Sequence, residues 1–210
     1  GIGLTLSVRE PDTRISKPGT MKDSIVDPFK EFFKRQGTQR AVEILLFMLL
    51  YKLGDSMATA LSTPFYLEMG YTKTEIGLVA KNAGLWPMII GGILGGLVMI
   101  KIGINRSLWI FGVVQLVSIL GFAYLANSEN PGLWLLGLII SFEYLGVGLG
   151  TAAFVAFIAR TTSVRYTATQ FALFTALTAL PRTFVNASTG YIVESLGWTQ
   201  FFIFFALLAI

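Results

Sequence analysis

The chain has no cysteine and no histidine among its 210 residues. Those two absences exclude disulfides, thiol chemistry, Cys/His metal sites and imidazole proton shuttles. Charge is scarce as well, at 13% of residues against 54% hydrophobic, with a mean hydropathy of +0.68. An average soluble domain is more charged and less apolar than this, so the solvent for most of the surface is lipid. No metal or other cofactor is expected. A net charge of +4 would point to nucleic acid in a soluble domain; here it reads as a bias of basic residues to one membrane side, and no nucleic-acid partner is expected.

What is present is a series of six apolar stretches, at about 42–67, 75–100, 107–126, 133–159, 167–193 and 199 to the end. Each complete one reaches the ~20 residues that cross the hydrocarbon core at ~1.5 Å per residue. The expected fold class is therefore all-α and polytopic in a membrane. Charges in the connections alternate: Arg9 to Arg40, Lys101 and Arg106, then Arg160 and Arg165 share one side, while Glu68, Lys73, Glu75, Glu129 and Glu194 share the other. Basic loops stay cytoplasmic, so the stretch 42–67 runs outward and the rest alternate. Residues 1–6 read as the end of a membrane helix, 7–40 as a cytoplasmic loop and 41–210 as a transmembrane bundle. The opening GIGLTLSVREP and the closing FFIFFALLAI both read as partial membrane helices, with the last one truncated, so a longer protein is expected.

Within the loop, Asp27-Pro28 is a good helix start, with an N-cap acceptor and Pro at the first position. Phe29, Phe32 and Phe33 then fall opposite Lys30, Lys34 and Arg35. Such a helix either lies on an anionic membrane surface or tucks against the protein.

Lys52, Asp55, Lys81, Glu143 and Arg182 lie inside the apolar stretches. A charge at the centre of a membrane helix costs at least ~2.5–3.5 kcal/mol on insertion scales, which marks these positions as functional. Lys52, Asp55 and Glu143 are ten or more residues from a span end, roughly 15 Å deep at ~1.5 Å per residue. The first, second, fourth and fifth spans carry them, and the third and sixth carry none; Gln115 is the most polar residue of the third. Charged, charged, apolar, repeated, implies two helices lining a cavity and one facing lipid in each group of three. Paired three-helix repeats of this kind build each half of major facilitator transporters.

Polar residues extend the pattern. Lys52, Asp55, Thr59 and Ser62 or Thr63 fall on one helical face, and Thr175, Thr178, Arg182, Asn186 and Thr189 on another. The stripes either face one another across a wet groove, or Lys52–Asp55 is a local pair and Arg182 a strut to neighbouring carbonyls. Gly91, Gly92, Gly95 and Gly96 form two small-xxx-small pairs, and Gly146, Gly148 and Gly150 crowd the fourth span. Close helix packing or a gating hinge accounts for them, while Pro87 and Pro181 favour kinks.

Three cations against two anions leave the proposed cavity positive, which favours a solute with carboxylates or phosphates. Lys52, Lys81, Arg182, Asn82, Asn186 and Tyr144 are the candidate substrate-binding residues. Glu143 and Asp55 are the candidates for proton coupling and charge pairing. A carboxyl in a poorly solvated place takes up a proton more readily, a nearby lysine opposes this, and moving that lysine loads or releases the proton. Glu143, without an intrahelical basic partner, is the preferred coupling group; Asp55 is expected to orient Lys52.

The stretches LLYKLGDSMATALSTPFYLEMGYTKTEIGLVAK (49–81), FEYLGVGLGTAAFVAF (142–157) and TATQFALFTALTALPRTFVNASTGYIVESLGW (167–198) resemble the AmpG-type muropeptide permeases, members of the major facilitator superfamily. The resemblance covers most of 40–210. It implies the six-helix C-terminal half, helices 7–12, of a twelve-helix fold, partnered by an N-terminal half in a bacterial inner membrane. It further implies proton-coupled import of anhydromuropeptides (GlcNAc-anhydroMurNAc-peptides) by alternating access, in peptidoglycan recycling and β-lactamase induction. One departure concerns the superfamily loop G-x-x-x-D-[RK]-x-G: Gly96, Lys101 and Gly103 fit, but Ile100 replaces the acid. A charge relay in that loop is therefore not expected, whereas its packing role is. The alternatives are a superfamily transporter of another anionic solute (a peptide, a sugar acid or an acyl-CoA-like molecule), a polytopic membrane enzyme, and a channel or sensor. The enzyme lacks His and Cys to work with, and the scattered charges do not form the ring a channel needs.

Overall fold

The structure, a computed structural model, describes residues 21–53, 56, 60–129 and 131–208, with the side chains of 21–24, 181, 182, 184–186 and 208 outside the description. The described residues form helices α1 (Met21–Gln36), α2 (Thr38–Tyr51), α3 (Ser62–Glu68), α4 (Lys73–Ile102), α5 (Ile104–Ala126), α6 (Leu133–Thr161), α7 (Thr167–Leu196) and α8 (Trp198–Leu208), with a 3-10 turn at Val164–Tyr166. No strand occurs among them. Of these, α4, α5 and α6 are long and apolar enough to cross a membrane. The expected helix end at 1–6 and the loop up to residue 20 lie outside the described residues, as do Asp55 and Thr59.

The first apolar stretch, expected as one span over 42–67, is described only in part. Helix α2 runs to Tyr51, the Ser56 N–H donates to the Lys52 carbonyl at 3.1 Å, and α3 begins at Ser62 after Leu61, whose dihedrals (φ −108°, ψ 16°) depart from those of a regular helix. Pro64 falls in the first turn of α3, where its missing N–H is not needed.

Short, specific links join the remaining helices. Helix α4 opens with a capping box: Thr72 Oγ1 accepts from the Glu75 N–H at 3.3 Å, and Glu75 Oε2 accepts from the Thr72 N–H at 2.8 Å. It then runs unbroken through Pro87. A single residue, Gly103, separates α4 from α5, and its φ of +82° is open only to glycine at little cost. Gly197, at φ +76°, does the same between α7 and α8. In the 96–103 loop Gly103 serves the turn and not close packing, since a Cβ there or on Gly96 would meet nothing within 4 Å, and Ile100, 82% exposed, projects outward.

Helix α6 is the hub, packed against α4, α5 and α7. Its three glycines explain how. Residues four apart in a helix are offset by only about 40° and residues two apart by about 200°, so Gly146 and Gly150 share one face and Gly148 takes the other. A Cβ on Gly148 would run into the Met88 carbonyl oxygen of α4, and one on Gly91 into the Leu145 carbonyl oxygen of α6. On the opposite side, a Cβ on Gly150 would lie 2.7 Å from Gln115 Nε2 of α5. Of the two expected small-xxx-small pairs in α4, only Gly91–Gly95 is at the crossing. Gly92 and Gly96 look onto open space, because one residue of offset turns them about 100° away.

Two aromatic clusters sit above and below this layer. The outer holds Phe65, Tyr66, Phe122, Phe201, Phe202 and Phe205, and the inner holds Phe32, Met48, Leu108, Phe111, Phe154 and Phe174. At the outer end, Trp198 Nε1 donates to Glu68 Oε2 at 2.6 Å and the Tyr71 hydroxyl to the Pro131 carbonyl at 3.0 Å. Burial, with the Glu75 charge adding to it, raises the Tyr71 phenol above its ordinary range and keeps it a donor.

At the inner end, α1 takes the tucked placement. Phe32 is fully buried with its ring 4.9 Å from that of Phe174. Gln170 Nε2 donates to the Pro28 carbonyl at 2.8 Å and to Glu31 Oε2 at 2.7 Å, and Arg35 Nη2 donates to the Thr161 carbonyl at 2.6 Å. That carbonyl is one of those a helix C-terminus leaves without an intrahelical donor, and a cation there also complements the helix dipole.

The glycine crossing gives a direct expectation. Gly148→Ala and Gly91→Ala should each destabilise the protein by about 1–3 kcal/mol, the usual cost of overpacking. Gly92→Ala and Gly96→Ala should stay within about 0.5 kcal/mol, as substitutions at open positions do. Thermal unfolding of the detergent-solubilised protein measures both, and equal midpoints for Gly148→Ala and Gly92→Ala would refute the assignment.

Candidate functional site

The structure places the sequence-derived candidates on two surfaces. Lys81 and Asn82 are exposed on α4, and the Asn82 amide donates to the Leu78 carbonyl of its own helix at 2.8 Å. On α7, Thr175 is exposed and Thr178 half-buried, each hydroxyl donating to a carbonyl of its own helix. This part of the fifth-span stripe therefore faces outward from the described bundle. Thr189, expected on the same stripe, is buried, so the stripe turns inward toward its outer end. The side chains of Arg182 and Asn186 lie outside the description.

Lys52 and Glu143 occupy the interior instead. Lys52 closes the C-terminus of α2 and donates from Nζ to Thr151 Oγ1 of α6 at 2.9 Å. Glu143 is 1% exposed. Its Oε2 makes a short hydrogen bond with the Ser118 hydroxyl of α5. With Tyr144 it also lines a cavity of about 110 Å³, together with Ser62, Thr63 and Tyr66 of α3 and Ile76 and Ala80 of α4. A space of that size holds a few water molecules at ~30 Å³ each, and its hydroxyls supply the partners such waters need. Tyr144 also lays its ring beside α4, 3.4 Å from where a Cβ on Gly84 would stand, an ordinary van der Waals distance.

Sequence reasoning did not assign roles to Ser118, Thr151 or Tyr66. One signal was legible: Gln115 and Ser118 are three residues apart on an otherwise apolar helix, hence on one face. The third span, expected to face lipid, has an inward side as well. Trp109, Ile110, Val113, Val117 and Tyr124 are exposed, but Ser107, Gln115 and Ser118 are buried against α6. An apolar helix can bury its few polar groups on one side and offer lipid the other. Gln115 Nε2 has no hydrogen-bond partner among the described residues, and its amide lies across Gly150.

A larger groove of about 580 Å³ opens between α2 and α5, lined by Phe47, Leu50, Tyr51, Trp109, Val113 and neighbours. Its lining is mainly apolar, which does not suit a solute rich in carboxylates and hydroxyls. Among the described residues, no group of Asp and Glu could hold a metal ion.

Compared with known protein families, residues 2–186 match the Major Facilitator Superfamily. The chain belongs to that superfamily. It is 38% identical over 201 residues to the anhydromuropeptide permease of Escherichia coli K12, covering 95% of this chain and 40% of the permease. It is 39% identical over 187 residues to a putative transporter AmpG 4 of Rickettsia felis, covering 89% of this chain and 44% of that protein. A Haemophilus influenzae protein described as uncharacterized is 50% identical over 189 residues, covering 87% of this chain and 44% of that protein. The chain thus spans about two-fifths of the length of these relatives, an amount that fits the C-terminal half of a superfamily member. This is a polytopic all-α membrane protein, related to the AmpG permeases.

The Lys52–Thr151 bond is a polar link between the first span and the hub helix, beside the stacked rings of Tyr51 and Phe154. A hydrogen bond to a charged group contributes on the order of 1.5–3 kcal/mol. Thr151→Val, which keeps the shape and removes the acceptor, should raise the rate of amine modification at Lys52 roughly tenfold, the equivalent of ~1.4 kcal/mol. Quantitative mass spectrometry of the labelled protein reads that rate, and an unchanged rate would sink the assignment.

Proposed function

We propose that the protein is part of a proton-coupled importer of anhydromuropeptides in the bacterial inner membrane, working by alternating access together with an N-terminal half. The observation that carries this reading is the identity of 38% to the Escherichia coli anhydromuropeptide permease along 95% of the chain. Peptidoglycan recycling and β-lactamase induction follow from the same reading. Exposed Lys81 and Asn82 and the outward threonines of α7 support a substrate face directed at the other half. Lys52, Arg182, Asn186 and Tyr144 complete the proposed substrate-binding set. The lysines act as point charges, while Arg182 can hold a carboxylate bidentately. Such a set selects an anionic cargo, and muropeptides carry several carboxylates.

Glu143 is the proposed proton-coupling group, and Asp55 the group that orients Lys52. Support for Glu143 comes from its position: it is buried in the hub helix and in reach of a cavity lined with hydroxyls. An ionisable residue at such depth is expensive, so a functional role is its default reading, and proton relays are one such role.

The test is uptake of labelled anhydromuropeptide by the full-length transporter in proteoliposomes. Saturable uptake driven by an imposed pH gradient, abolished by a protonophore and not competed by unrelated anions, is expected. Preferential competition by another sugar acid or acyl-CoA would instead favour a superfamily relative with different cargo. Arg182→Ala and Lys81→Ala should each raise KM about tenfold or more, since a charge-assisted contact is worth roughly 1.5–3 kcal/mol. Glu143→Gln should leave exchange of muropeptide across the membrane but remove its response to the gradient. Uptake by that variant that remained fully gradient-driven would exclude Glu143 as the coupling group.

A further inference from the structure

The tryptophans divide by depth. Trp109, Trp134 and Trp198 fall within the first six residues of α5, α6 and α8. That is near the level where indole rings gather at membrane interfaces. Trp86 does not follow them. It is the fourteenth of the 30 residues of α4, roughly 20 Å from the helix start at ~1.5 Å per residue, and it is 62% exposed.

Its neighbours do not suit a face directed at hydrocarbon. Asn82 lies one turn earlier, offset by about 40°, and is exposed. One amide hydrogen of Asn82 goes to the Leu78 carbonyl, and its exposure leaves the oxygen and the second hydrogen to something outside the helix. Lipid tails offer such groups no partner, and placing them there is costly. Lys81 beside it is also exposed, and a charge in lipid costs more still. Pro87 adds an acceptor: having no N–H, it withholds the bond that the Ala83 carbonyl would accept from that position. Gly84 gives the direction. It meets Tyr144 of α6 and is two residues from both Asn82 and Trp86, a turn of about 200°, so these two point away from the hub. Inward along the same stripe come Ile89 and Ile93, both exposed, so Trp86 stands where the polar part of the face ends.

We propose that Trp86 and Asn82, with the Ala83 carbonyl, form a subsite for a sugar ring of the cargo. A pyranose has a face of C–H groups and a rim of hydroxyl and amide groups. The indole is rigid and largely apolar, so it covers that face at little entropic cost. The Asn82 amide and the freed carbonyl meet the rim, as the few convergent polar groups of a ligand site do. Lys81, one residue away, supplies a charge complementary to a carboxylate on the same cargo. A sugar bearing a carboxylate-rich peptide matches all of these groups at once, whereas a lipid tail matches only the ring. The inference rests on the proposed muropeptide reading for its cargo and deepens it: Trp86 joins the binding set, and Asn82 takes the sugar while the cations take the peptide.

Fluorine NMR on the full-length transporter in lipid nanodiscs, labelled with 5-fluorotryptophan, tests this. The Trp86 resonance is the one missing in Trp86→Phe, and Trp86→Tyr assigns it a second time. The peptide-free disaccharide GlcNAc-anhydroMurNAc should shift that resonance, and the free stem peptide should not. Asn82→Ala should weaken the disaccharide titration about tenfold, as the loss of a ligand hydrogen bond does. Three results overturn the inference. The peptide moves the resonance as far as the disaccharide does; or spin-labelled lipid broadens it, which places the face against hydrocarbon; or it responds to neither, which places the face against the N-terminal half. A disaccharide shift in a protein that takes up no labelled anhydromuropeptide keeps the subsite and rejects the importer reading. Uptake with an unmoved Trp86 resonance does the reverse.

Discussion

Close approach of α6 to its neighbours on both faces is the constraint on which the rest of the structure depends. In lipid there is no hydrophobic drive between helices, since the tails are as apolar as leucine; association rests on van der Waals packing and hydrogen bonds. Both fall off steeply with separation. Gly148 lets α4 come in until backbone meets backbone, and Gly146 and Gly150 let α5 come in until the Gln115 side chain lies against them. That separation is also what brings the Glu143 carboxyl within bonding distance of Ser118. A methyl group at Gly148 or Gly150 would act on packing and on the polar contacts together.

The glycines and the buried polar groups share one layer of the bundle, with an aromatic cluster on either side of it. Lys52, Thr151, Gln115, Ser118 and Glu143 all lie between Phe65, Phe122 and Phe202 at the outer side and Phe111, Phe154 and Phe174 at the inner. Aromatic rings fill space and fix the ends of the helices, leaving the middle to small and polar residues. Such a layer has few large side chains to interlock, so its geometry is set by hydrogen bonds and by the rigid ends.

Much of this was legible in the sequence, and the reasons are physical. Hydrophobic length located the helices Lys73–Ile102, Ile104–Ala126, Leu133–Thr161 and Thr167–Leu196 to within a few residues, because a bilayer dictates how long an apolar run must be. The isolated cost of a charge in lipid singled out Glu143 and Lys52. Their partners were harder to see. Ser118 and Thr151 are cheap residues in a membrane helix, able to bond their own backbone, so nothing in composition marks them until a neighbouring helix is in place. Nor could periodicity separate Gly91 from Gly92: both are small, and only the crossing with α6 decides which is essential.

The inner end adds a mechanical consequence. Glu31 joins Gln170 at 2.7 Å and Arg35 at 3.0 Å, while Arg35 reaches the last turn of α6 and Gln170 reaches the backbone N–H of Ser163. One polar cluster on α1 therefore ties the inner end of α6 to the inner end of α7. Any motion that changed the angle between those two helices would have to turn about this end or break several charge-assisted bonds at once. At the other end, α7 passes to α8 through one glycine, and Trp198 couples α8 to Glu68 of α3. With both ends tied, Glu143 and Lys52 lie in the glycine layer between them, where close helix approach holds their partners Ser118 and Thr151 in reach.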